Sequence, residues 1–105
     1  MKPKEKIWRT EHQGIDIMVK NVWDFESTRE EILINGKPVH YREIPMGEAS
    51  LKSIAGLRMD YVENGTEITV KIGSAWHLCG MACQILINGK HYYGNRIVLF
   101  ADKSP

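Results

Sequence analysis

A chain of 105 residues, 43% hydrophobic and 26% charged, is the size of one domain and has an ordinary soluble globular composition. Fourteen basic residues against thirteen acidic ones leave a net charge of +1, which lacks the concentrated basic surface that nucleic acid or an anionic membrane would need. Two cysteines are too few for a disulfide-stapled secreted scaffold, and no apolar run reaches the roughly 20 residues of a membrane span.

In chain order, residues 1–6 read as a charged, flexible arm, and Ile7-Trp8 is followed at once by Arg9, Thr10 and Glu11, with no apolar core of a signal peptide. The expectation is a cytoplasmic protein with neither a nucleic-acid nor a membrane partner. Ile15, Ile17 and Val19 alternate with Asp16, Met18 and Lys20, the period of a strand with one buried face. Ile32-Leu33-Ile34 is continuously apolar and suits a strand covered on both sides. Asn35-Gly36 then marks a tight hairpin turn, after which Val39 and Tyr41 alternate with His40 and Arg42 until Pro45 ends the strand.

Glu48–Tyr61 mixes helical spacing (Leu51, Ile54, Ala55, Arg58) with strand alternation (Leu57, Met59, Tyr61). It is expected to be irregular to about Ala55, then a strand that pairs across Asn64-Gly65. Ile68, Val70 and Ile72 form the next alternating strand, and Ile85-Leu86-Ile87 repeats the earlier apolar run before Asn88-Gly89. Tyr92-Tyr93, Gly94-Asn95 and Arg96–Phe100 suggest a last hairpin, followed by a polar tail at 101–105.

The string Ile-Leu-Ile-Asn-Gly-Lys occurs at Ile32–Lys37 and again at Ile85–Lys90, 53 residues apart. Ile15 and Ile68 share that offset, as do Trp23 and Trp76. The spacing predicts two pseudo-repeated halves, about 7–58 and 59–100, within one all-β domain over residues 7–100. The expected fold is a compact antiparallel β-sandwich, or a partly closed barrel, of about seven to nine short strands.

These pieces also resemble one domain of the Fas apoptotic inhibitory molecule family. The matching segments are Ile15–Val19, Ile32–Lys37, Leu51–Gly56, Glu67–Ile72 and Gln84–Lys90, over about residues 12–90. The resemblance implies an antiparallel β-sandwich with a binding or protective role and no recognised catalytic site. Where that family has a Glu-His-Gly segment, this chain has Asn21-Val22-Trp23-Asp24, and no functional residue carries over.

One cluster has ligand chemistry: His77, Cys79 and Cys83, with His91 as a fourth candidate. Imidazole and thiolate suit zinc or copper, but on a continuous strand residues four apart are separated by about 13 Å. A turn at Gly80 would be needed to bring them together, and the plainer reading is buried thiols. A Cys-His nucleophile built on His77 and Cys79, with Asp60 or Glu67, is the catalytic variant of this idea. Trp8, Trp23 and Trp76 are candidates for an aromatic ligand platform, against core packing at sheet ends. His12 and His40, and basic residues such as Arg42, read as solvated strand-face positions.

The reading is a non-enzymatic interaction module without a cofactor, in which sheet edges take a protein or peptide partner or a second copy. A metal- or thiol-dependent protein and a small-molecule binder with an aromatic pocket are the alternatives.

Overall fold

A computed structural model describes residues 4–24, 26–45, 57–74 and 81–99. Four dipeptides there take positive φ at both residues: Gln13-Gly14, Asn35-Gly36, Asn64-Gly65 and Asn88-Gly89. Two successive positive φ values define the hairpin turn whose twist matches that of its flanking strands. Each dipeptide joins sequence-adjacent strands, giving β1 (Lys4–His12), β2 (Ile15–Trp23), β3 (Ser27–Ile34), β4 (Lys37–Pro45), β5 (Leu57–Glu63), β6 (Thr66–Ser74), β7 (Met81–Ile87) and β8 (Lys90–Gly94).

The strands form two four-stranded antiparallel meanders, β1-β2-β3-β4 and β5-β6-β7-β8. They fall in separate compact units, Met1–Ser50 and Leu51–Pro105. The protein is thus all-β, with eight strands among the described residues. Each sheet is open with two edge strands, which a closed barrel would lack.

Alternation sets the buried face of each sheet. In the first, Trp8, Ile15, Ile17, Val19, Ile32 and Ile34 are buried; in the second, Leu57, Met59, Ile68, Val70, Ile72, Cys83, Ile85 and Ile87 are. Full burial of one such aliphatic side chain stabilises by about 1.5–3 kcal/mol, so these faces dominate the folding free energy of each unit. Leu33 is half-buried, so the apolar run Ile32–Ile34 is not covered on both sides.

The turn asparagines do more than supply positive φ. Asn35 N–H donates to the Asp16 carbonyl at 2.8 Å, and its side-chain oxygen accepts from Asp16 N–H at 2.8 Å. Asn88 makes the same pair of bonds with Glu67, at 2.8 and 3.0 Å. Each asparagine therefore ties the second hairpin of its sheet to the start of the preceding strand. The two sheets also share a β-bulge, between Ile32 and Leu33 and between Ile85 and Leu86.

Several sequence expectations shift. Lys4–Lys6 are strand residues paired with Trp23, Val22 and Asn21, so the arm at 1–6 is shorter than expected. The halfway boundary at 58/59 falls inside β5. Asp16 and Glu67 are equivalent by their asparagine bonds, as are Asn35 and Asn88, so the offset is 51 residues in the first hairpin and 53 in the second. Four residues separate the paired Trp23 and Thr28, whereas six separate the paired Ser74 and Met81. The position matching Trp23 is consequently Ser74, not Trp76.

Residues 95–98 form no strand, and the expected last hairpin is replaced by a different closure. Asn95 N–H donates to the Cys83 carbonyl at 2.7 Å, and the Asn95 side-chain oxygen accepts from Cys83 N–H at 3.1 Å. Val98 and Leu99 then lie over Gly73 of β6. Glu48–Gly56 lies outside the described residues, while β5 pairs with β6 across Asn64-Gly65.

Candidate functional site

Four of the sequence-predicted candidates, Trp8, Trp23, Cys83 and His91, are among the described residues, each on a different strand. Trp8 is buried on β1, with the Lys6 ammonium 5.0 Å from its ring centroid. Trp23 ends β2 half-buried, between Lys4 and Thr28. Cys83 is fully buried in β7, and His91 Nδ1 lies 2.9 Å from Gln84 Nε2. Trp76, His77 and Cys79 lie outside the described residues. Among the described residues no three His, Cys, Asp or Glu side chains are grouped as metal ligands.

What sequence reading missed is a polar row across the buried face of the first sheet. Asn21 pairs with Glu30, and Glu30 with Arg42, each directly across the strands. Asn21 and Glu30 are each 1% exposed. Arg42 Nε donates to Glu30 Oε1 at 3.0 Å, and Arg42 Nη2 donates to the same oxygen. His40, two residues from Arg42 on the same strand, stands opposite Ile32. Neither His40 nor Arg42 is therefore a solvated strand-face residue.

At the equivalent positions the second unit has Ile72, Cys83 and Tyr93 in its sheet and Asn95 just beyond β8. Among the described residues the charged row occurs in the first unit, whereas the sequence pointed to the second. Strand parity carried the missing signal: Glu30 is in phase with Ile32 and Ile34, and Asn21 with Ile15, Ile17 and Val19.

Three buried atoms in this row have no protein partner among the described residues: Asn21 Oδ1, Glu30 Oε2 and His40 Nε2. Burial raises the Glu30 carboxyl above its ordinary value of 4.5, against the opposing pull of Arg42. It lowers the His40 imidazole below 6.5, and the Arg42 charge lowers it further. The unfolded chain therefore binds a proton at His40 more readily than the folded one. Stability should fall as pH drops below about 6.5 and level off below the folded value. Urea melts at pH 7.5 and 5.5 should show this loss, and His40→Gln should diminish it; parallel pH slopes for both proteins would refute the assignment.

The opposite face of the first sheet is half-buried on its central strands and exposed on its edge strands. Ile7, Lys20, Glu31 and Tyr41 form one row across all four strands, with Ile7 47% and Tyr41 58% exposed. A depression of about 160 Å³ is lined by Lys20, Val22, Arg29, Glu30, Glu31 and Tyr41. Ligand pockets run to about 300–1,000 Å³, and neither Trp8 nor Trp23 borders this one.

The four edge strands differ in character. β4 carries Pro38 and Pro45 and is distorted by the bulge, while β8 is five residues long and bulged as well. β5 is regular over seven residues, and β1 is regular over nine. A two-residue turn closes on a hydrogen-bonded pair, here His12 and Ile15, and hydrogen-bonded pairs alternate from there. The backbone groups of Glu5, Ile7, Arg9 and Glu11 consequently face away from β2. The same alternation explains why Asp16, opposite Glu11, directs its N–H and C=O to Asn35. No family model, curated protein or solved structure matches this chain, so its candidate site rests on these residues alone.

Proposed function

We propose that this chain is a non-enzymatic protein-interaction module that takes an extended segment along the outer edge of β1. The observation that carries this reading is that edge: nine regular residues, free of proline and bulge, beside the exposed Ile7. Such an edge offers a partner main-chain hydrogen bonds from alternate residues, with side-chain contacts adding selectivity. Ile7, Lys20 and Tyr41 supply apolar and charged contacts on the adjoining face. The resemblance to the Fas apoptotic inhibitory molecule family carries the same expectation of a binding role.

The test is hydrogen exchange on the full chain with a peptide selected from a random library. The amides of Glu5, Ile7 and Arg9 should exchange fast in the free protein and slow on binding. Failure to select any peptide, or protection confined to other strands, would overturn the proposal.

A further inference from the structure

We infer that the partner that best fits the β1 edge is a second copy of the same edge, paired antiparallel about a two-fold axis at Ile7. This deepens the proposed interaction role and rests on it. Only residues whose backbone groups point outward can bond across the new ladder, so outward-facing residues of β1 must oppose outward-facing residues of its copy.

Two-fold pairings that engage at least seven residues of β1 centre on Ile7, Trp8 or Arg9. Centring on Trp8 sets Glu5 against Glu11 twice, and centring on Arg9 sets Arg9 against its own copy. Like charges directly opposite are destabilising. Centring on Ile7 opposes Ile7 to Ile7, Glu5 to Arg9 twice, Lys6 to Trp8 twice and Lys4 to Thr10 twice, with no like pair.

The exposed Ile7 side chains then cover one another, flanked on the same face by two Glu-Arg pairs. Lys6 already lies 5.0 Å from the Trp8 ring of its own chain, and its opposite residue would be the other copy's indole. The charges that discourage promiscuous edge pairing thus leave one long register open. On β5 the seven-residue register centres on Asp60 and opposes two carboxylates. A dimer through β1 would be isologous, closing on itself rather than extending into a fibre.

Sedimentation equilibrium of the full chain, from micromolar to millimolar, tests this inference. The wild type should dimerise. Glu5→Arg sets Arg against Arg9 twice, and Arg9→Glu sets Glu against Glu5 twice; each should weaken the dimer roughly tenfold or more. The double variant restores opposite charges and should recover dimerisation, although it loses the exposed pairs Glu5–Lys20 and Arg9–Asp16 within each chain. A monomeric wild type, a dimer indifferent to either single change, or a double variant that stays monomeric would overturn the inference. In the exchange experiment above, peptide protection of β1 in a monomeric protein would leave the interaction role standing and remove the second copy alone.

Discussion

Arg42→Ala is expected to lower the unfolding free energy by about 3–5 kcal/mol at pH 7, because it leaves the Glu30 carboxylate buried without its counter-charge. Glu30 is 1% exposed, and Arg42 bonds it through two nitrogens on one oxygen. For a domain of this size the loss is a large part of a total of about 5–15 kcal/mol. The effect should shrink in acid. The folded Glu30 already holds its proton more tightly than the usual carboxyl, and removing Arg42 removes the group that opposes this. A raised folded pKa means stability is present below the unfolded value and is lost as pH rises through the folded one. The deficit of Arg42→Ala should therefore be smaller at pH 4.5 than at pH 7.

Replacing both partners at once should behave differently. In Glu30→Val/Arg42→Val no charge is left stranded, and such replacements are often neutral or stabilising by about 1–4 kcal/mol. The second sheet shows that such positions can hold other side chains: at the positions of Asn21 and Glu30 it buries Ile72 and Cys83. Urea denaturation of the two single variants and the double variant closes the cycle. A cost below about 1 kcal/mol for Arg42→Ala, or the same deficit at both pH values, would refute an energetically coupled pair.

Retention of a costly ion pair bears on what the sequence could reveal. Three Asn-Gly turns were legible because few residues other than Asn and Gly accept successive positive φ. The fourth turn, Gln13-Gly14, has the same geometry but lacks that composition, so β1 went unread. β1 is also an edge strand on which Trp8 alone is buried, and its polar residues on both faces erase the alternation that betrays a half-buried strand. The polar row was hidden for the opposite reason. Glu30 and Arg42 look like surface residues by type, and only strand parity and register place them inside and opposite each other. The repeated string ends in turn asparagines, Asn35 and Asn88, that make matching bonds 53 residues apart, but a two-residue difference between the β2–β3 and β6–β7 connections shifts the other strand positions.

Gly94→Ala is the second change expected to have a large effect, and Gly89→Ala supplies its control. Both glycines have positive φ, +90° and +82°. A Cβ on Gly89 would meet nothing within 4 Å, so the alanine there bears the backbone strain alone, about 1–3 kcal/mol. A Cβ on Gly94 would fall 2.2 Å from the Cys83 carbonyl oxygen, in the backbone of the neighbouring strand. That carbonyl accepts from Asn95 N–H, and Cys83 N–H donates to the Asn95 side chain. Relieving the overlap means moving β8 away from β7 and giving up both bonds, each worth about 0.5–1.5 kcal/mol net. Gly94→Ala should accordingly cost about 2–6 kcal/mol in all. It should also speed exchange of the Asn95 amide, whereas Gly89→Ala should leave that amide protected. Equal destabilisation by the two substitutions would show that φ alone matters and that the approach of Gly94 to Cys83 does not hold the end of β8 in place.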